Sequence, residues 1–292
     1  MHLIEVVRRP DPATVAELQA FAAGRGLSDH LSLDLAAGGG PGFVGVRIQT
    51  ADTSTVAYAQ VSVAAGGAEL EAVGDDPAAA LDAVETALDA FATDGGGTLT
   101  WWVDDPPQAV TALATAHGLA PVRGLHEMRR PLPHERRADI VTRAFRPGTS
   151  DEDAWLHVNN RAFADHPEQG GWTRATLTAR LAADWFDADG FRLHEVADGS
   201  ALRLAGFCWT KVHPATATDP QLGEIYVIAA DPDFAGRGLG TQLTLAGLDW
   251  LTEHGVTTAD LYVDADNTAA FNLYTRLGFH IHRTRTAFTG QL

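Results

Sequence analysis

The second half of the chain carries the clearer pattern of apolar and polar positions. Ser150-Asp-Glu-Asp153 reads as a helix start, with Ser150 as N-cap and Asp153 at the third helical position. Trp155, Leu156 and Val158 follow on that helix. Thr173 can cap a second helix bearing Leu177, Leu181 and Trp185. Residues Phe191 to Val196 and Leu202 to Val212 alternate as antiparallel strands do. An apolar run from Ile225 to Ala230 then predicts a strand that feeds a glycine-rich turn. Beyond that turn Leu239, Leu243, Ala246, Trp250 and Leu251 share one helical face. Asn267 can cap a last helix from Thr268 to Leu277, which Gly278 ends. By periodicity alone this is a mixed α/β domain.

The first half repeats the order of elements. Residues 67–77 can be laid over residues 222–232, so that Glu69 matches Glu224. An amphipathic helical stretch follows in each half. A short strand comes next, Leu99 to Val103 in one and Asp260 to Val263 in the other. A short helix then runs into His117-Gly118-Leu119 or Leu277-Gly278-Phe279, and a final strand closes each half. Residues 131–139, polar and proline-bearing, read as a linker between a domain of residues 1–130 and one of residues 140–292. The expectation is a tandem of one α/β (α+β) domain.

Composition narrows the partners. Lys and Arg total 21 against 38 Asp and Glu, a net charge of −17 over 292 residues. So acidic a chain repels phosphate backbones and anionic membranes and attracts a cationic small molecule. The single cysteine, Cys208, excludes an intrachain disulfide and sits in an apolar strand, where a buried structural thiol is expected. With no signal peptide and no apolar run near 18 residues, the expected setting is the cytoplasm, and the chain is expected to be monomeric.

The turn after Ala230 holds the most specific signal, Asp231-Pro-Asp-Phe-Ala-Gly-Arg-Gly-Leu-Gly240. A glycine-rich turn that opens a helix gathers backbone N–H groups and the positive end of a helix dipole at one point, a seat for pyrophosphate. No lysine follows as a P-loop requires, and the glycine spacing is not that of a dinucleotide fold. The segment resembles motif A of the GCN5-related N-acetyltransferases, with Ala235 where that pattern has Gln or Arg. The run Asn267, Ala270, Tyr274, Gly278 and Phe279 resembles their motif B. The resemblance implies two GNAT-type domains, each a mixed, mostly antiparallel sheet flanked by helices. It also implies acetyl-CoA as co-substrate, held by Ile228, Ala229, Ala230, Ala235, Gly236, Arg237, Gly238, Leu239, Gly240, Thr241, Asn267, Ala270 and Asn272. In the first half the glycines are replaced by residues 80–85, where Asp82 and Glu85 would repel pyrophosphate, so that half is read as degenerate.

Acyl transfer to an amine requires a base, an oxyanion donor and an acid for the leaving thiolate. Glu224 begins the strand that runs into the turn and is the candidate base, acting directly or through water. A backbone N–H near Ile228 is the candidate oxyanion donor, and Tyr274 the candidate acid.

Two further stretches, Asn159 to Trp172 and Cys208 to Pro214, make residues 140–290 similar to the mycothiol synthase family; the match is looser over residues 1–130. That resemblance implies an acceptor built of cysteine, glucosamine and inositol, acetylated on its cysteinyl amine. By the same resemblance Glu168, Lys211, Glu224 and Tyr262 would contact it, with Asp29 a contribution from the first half. Another small amine, such as an aminoglycoside or amino acid, and a non-enzymatic coenzyme A sensor are the alternatives. His166 and His213 lack a third ligand, so no metal is expected.

Overall fold

The computed structural model describes all residues except 1, 24, 26, 65, 167–168, 200 and 217–218, and leaves out the side chains of residues 29 and 30. The chain forms two compact units, Met1–Leu125 with Arg283–Leu292, and His126–His282.

The first unit contains β1 (Leu3–Val7), α1 (Pro12–Ala22), α2 (Asp29–Ala36), β2 (Val44–Gln49), β3 (Thr55–Ala64), β4 (Gly67–Gly74), α3 (Pro77–Thr93), β5 (Thr98–Asp104) and α4 (Gln108–Ala116). β6 (Ala120–Pro131) starts in this unit and belongs to the second from His126 onward. The second unit continues with β7 (Arg143–Ala144), α5 (Asp151–Ala162), α6 (Arg174–Leu181), β8 (Phe191–Asp198), β9 (Ala201–His213) and β10 (Leu222–Ala230). A short 3₁₀ turn (Pro232–Phe234), α7 (Leu239–Glu253), β11 (Thr258–Asp264) and α8 (Thr268–Arg276) follow. The last strand, β12 (His280–Gln291), lies in the first unit from Arg283 onward.

The element order of the two halves agrees one for one, as expected of a tandem repeat. The closing strands differ from the expectation. In the first unit the sheet runs β1-β2-β3-β4-β5-β12, and in the second β6-β11-β10-β9-β8-β7. Each half therefore sends its last strand to the other half's sheet. β12 pairs antiparallel with β5 from Arg285↔Asp104 to Gln291↔Thr98, and Phe288 enters the first unit's core with Leu99 and Trp101. Met128 of β6 enters the core beneath α7 and α8 with Leu261 and Phe279. The two strands are alike in length and pattern, so chain order did not reveal which sheet each completes.

Within the second unit the sheet is covered on both faces. Along β9 alternate residues part to opposite sides, as the pleat dictates. Cys208 faces α7 with Ile225, Leu243 and Leu248, whereas Phe207 and Trp209 face α5 with Trp155, Phe191 and Val227. α7 lies close on the sheet because Gly247 has no Cβ; one built there would come within 2.5 Å of Cys208 Sγ. Burial pushes the Cys208 thiol up to about 12, which fits the expected inert structural cysteine.

Thr173 caps α6 by accepting from the Thr176 N–H at 3.1 Å, as expected. The start of α5 differs: Ser150 makes no side-chain cap, and the Asp151 N–H donates to Thr149 Oγ1 at 3.2 Å. Asp151 is turned instead into the guanidinium groups of Arg143 and Arg146, which hold its carboxyl well below the usual range despite burial.

Candidate active site

β10 and β11 are parallel, but their pairing is confined to Gly223↔Ala259 and Glu224↔Asp260, while β10 continues to Ala230. Past Glu224 the edge of β10 that faces β11 is released from the ladder. On its other edge β10 pairs with β9 throughout, with a register shift between Ile225 and Val227. The extra residue, Tyr226, turns with Val227 and Ala229 toward the α5 face, whereas Ile228 and Ala230 turn toward α7. The candidate oxyanion donor near Ile228 lies in this released stretch.

Glu224 stands where the two strands part. It is 9% exposed, and its Oε2 lies 2.7 Å from His213 Nε2. Lys211 pairs with it in register on β9. The Lys211 ammonium lies 4.9 Å from the Trp185 ring centroid and 5.8 Å from that of Tyr226, so two aromatic faces hold it. Tyr262, 41% exposed, directs its hydroxyl toward Glu127 at 3.5 Å. Glu127 is fully buried and receives Arg129 Nε at 2.5 Å; Arg129 also donates to Asp219 at 2.5 Å. Asp260 is 2% exposed, and its Oδ1 has no hydrogen-bond partner. Burial, then the charges of Glu224 and Glu127, push its carboxyl up to about 7 against the pull of His213 and Arg129.

The structure thus gathers Lys211, Glu224 and Tyr262 of the expected acceptor residues. Glu168 and the Asp29 side chain lie outside the described residues. His213, Asp260, Glu127 and Arg129 were not foreseen as neighbours of Glu224. Asp260 lies beside Glu224 through the register of β10 against β11, which the sequence does not show.

The turn at residues 231–240 is ordered by charge. Asp231 is fully buried, caps the 3₁₀ turn through the Asp233 N–H at 2.9 Å, and meets Arg161 at 3.0 Å and Arg203 at 3.2 Å. The same two arginines hold Asp233, whose carboxyl falls to about 2. Both acids are therefore neutralised before the helix opens. Gly236 and Gly238 have φ +75° and +74°, and a Cβ at either would meet nothing within 4 Å. The requirement for glycine there is backbone conformation, not space. Gly238 caps α7 without a side chain, and the first turn of α7 contains no acid. These residues suit a pyrophosphate: backbone donors at a helix start, with no competing carboxylate.

The matching place in the first unit is closed differently from the expectation. α3 starts at once from Asp76-Pro77, and Asp76 accepts from the N–H groups of Ala78 and Ala79 at 2.9 and 3.4 Å. Asp76 thus takes up N–H groups at the start of that helix, and Asp82 and Glu85 fall later in it.

Asn267 caps α8 by accepting from the Ala270 N–H at 3.1 Å, and Asn272 is exposed on that helix. Tyr274 lies in the core beneath α7 and α8 with its ring edge-on to that of Phe279, and burial raises its phenol above the ordinary value. It keeps its proton at neutral pH.

Residues 153–279 match the Acetyltransferase (GNAT) family. Mycothiol acetyltransferase of Acidimicrobium ferrooxidans is 41% identical over 96% of this chain and 94% of its own length. The chain belongs to the mycothiol acetyltransferase family. The protein of that name from Tsukamurella paurometabola is 40% identical over 98% of this chain and 99% of its own. With that of Pseudarthrobacter chlorophenolicus the identity is 49% over 61% of this chain, which is 56% of the relative. Among solved structures, a GCN5-related N-acetyltransferase of Sphaerobacter thermophilus superposes with a TM-score of 0.68 at 19% identity, over 99% of this chain and 95% of that one. A tandem GNAT protein of the clavulanic acid biosynthesis pathway gives 0.57 at 16% identity over 100% and 98%. The fold is a tandem GNAT fold, and the chain is an acetyl-CoA-dependent N-acetyltransferase that acts on an amine. Among the described residues no helix is long and apolar enough to cross a membrane.

Proposed function

We propose that this member of the mycothiol acetyltransferase family acetylates the cysteinyl amine of 1D-myo-inositol 2-(L-cysteinylamino)-2-deoxy-glucopyranoside, completing mycothiol. The observation that supports it best is the position of Glu224. It lies where β10 and β11 part, with His213, Lys211 and Tyr262 on the same side and the glycine turn at the far end of β10. Its carboxylate is the base for the acceptor's ammonium, directly or through water. The N–H groups of the released stretch near Ile228 receive the charge that develops on the carbonyl oxygen. Tyr274, which keeps its proton, is the acid for the departing thiolate. Acetyl-CoA supplies the acetyl thioester, and residues 228–230, 235–241, 267, 270 and 272 hold it. Asp29, Glu168, Lys211, Glu224 and Tyr262 hold the acceptor, whose cation suits a chain of net charge −17. Residues 140–292 are the catalytic half, residues 1–130 a degenerate half and residues 131–139 their linker. The enzyme is a cytoplasmic monomer that needs no metal and binds neither nucleic acid nor membrane.

The test reads acetylated product by mass, with the cysteinyl-glucosaminyl-inositol amine beside the amine lacking the cysteine. Product from the cysteinyl compound alone is expected. Product from neither, with acetyl-CoA still bound, moves the reading to another small amine. Glu224→Gln is expected to lower kcat by about a hundredfold or more with acetyl-CoA affinity unchanged.

A further inference from the structure

Outside the residues assigned above, the second unit carries a buried carboxyl that the acetyl transfer does not yet employ. Asp260 pairs in register with Glu224 across two parallel strands, one of only two residue pairs that join β10 to β11. It is 2% exposed, so neither substrate reaches it without a rearrangement. Its Oδ1 is sealed from solvent with no donor, a costly place for an ionised carboxylate and a tolerable one for a neutral acid. The groups that face it are Glu224 from β10, His213 and Lys211 from β9, and Glu127 with Arg129 from β6. Tyr262 follows on its own strand. Arg129 is already engaged by Glu127 and Asp219, and Lys211 by two aromatic rings, so among the described residues Asp260 makes no ion pair of its own.

The degenerate half supplies an internal control. There Glu69 takes the place of Glu224, and its register partner on β5 is Thr100. Thr100 bonds Thr289 at 2.9 Å. The second carboxyl thus occurs only in the repeat that retains the glycine turn.

We propose that Asp260 is a positioning residue for acetyl transfer: it stands in register beside Glu224, and its own ionisation sets the charge against which Glu224 draws the proton of the acceptor's ammonium. The inference rests on Glu224 as the base. In that step an N–H bond of the ammonium breaks, its electron pair stays on nitrogen, and an O–H bond forms on Glu224. While Asp260 is neutral, it places no second charge beside Glu224. When Asp260 ionises, it adds a second negative charge beside Glu224, which favours transfer of the ammonium proton to that pair of carboxylates. Burial and the charge of Glu224 push Asp260 up to about 7, so the change falls within the working range of pH.

Two measurements test this. The first compares the pH dependence of kcat/KM for the amine, at saturating acetyl-CoA, between the wild type and Asp260→Asn. Titration of the amine is common to both and cancels in their ratio. The ratio is expected to rise by up to about tenfold between about pH 6 and about pH 8, and Asp260→Glu to restore the rise. A flat ratio overturns the proposal. The second needs no turnover: carbon-13 titration of wild-type protein labelled at aspartate Cγ. One aspartate is expected to titrate near 7, and to titrate lower in Glu224→Gln. All aspartates titrating near the ordinary value of about 4 overturns the proposal even if Asp260→Asn fails to fold. Full turnover by Glu224→Gln would instead remove Glu224 as base, an outcome separate from the state of Asp260.

Discussion

At the scale of single residues, burial and charge act against each other around Glu224. Asp260 binds its proton more tightly in the folded than in the unfolded chain. A raised carboxyl of this kind favours the fold at low pH, and that advantage is lost as pH rises from about 4 toward 7. Asp260→Asn is therefore expected to raise Tm at pH 8 by a few degrees and to change it little at pH 4, as read by thermal unfolding. Asp151 is the opposite case. Its lowered carboxyl adds stability above the ordinary carboxylate range, and that stability is lost as pH falls below it. Asp151→Asn is expected to destabilise at pH 7 and to converge on the wild type in acid. Cys208, with its thiol up at about 12, is expected to resist thiol reagents at pH 8 until the protein unfolds. Of these residues, Glu224 and Tyr274 were legible as candidates from the motifs. The states of Asp260 and Asp151 were not, because a protonation state depends on neighbours from distant strands and loops.

At the scale of elements, the start of α7 shows how local rules serve a site. Gly236 and Gly238 adopt left-handed backbone, which costs a residue with a Cβ about 1 kcal/mol. Gly238→Ala is expected to cost about that much stability. It should also raise the KM for acetyl-CoA roughly tenfold, as expected for the loss of about 1.4 kcal/mol of binding, with the KM for the amine unchanged. Steady-state kinetics with each substrate varied in turn would show the split. The glycine turn was readable from sequence since its constraint is local. The start of α5 was read less well: Ser150 satisfies the capping pattern, but Asp151 is drawn into Arg143 and Arg146, and Thr149 serves in its place. Propensity lost there to an ion-paired cluster assembled by the tertiary fold.

At the scale of the whole molecule, the exchange of last strands makes each unit depend on the other half of the sequence. β12 lines β5 from Thr98 to Asp104, and the terminal Leu292 and Gly97 exchange backbone hydrogen bonds at 3.0 Å. Removing residues 283–292 exposes that edge and takes Phe288 from the core. Such a truncation is expected to expose residues 1–125 to limited proteolysis, although every deleted residue lies at the far end of the chain. Likewise His126 to Pro131, though part of the first repeat, bring Glu127 and Arg129 to the neighbourhood of Tyr262 and Asp260. The first repeat thus contributes a buried charge to the second unit through its last strand.

Periodicity, caps and glycines are properties of neighbours in the chain. They were enough to read the repeated α/β order and the glycine-rich turn, and to name Glu224 and Tyr274 as candidates. The partner of each closing strand, the cap of α5 and the proton on Asp260 depend on groups far apart in the chain. Sheet pairing and desolvation arise only when those groups are brought together, so the tertiary structure alone decided them.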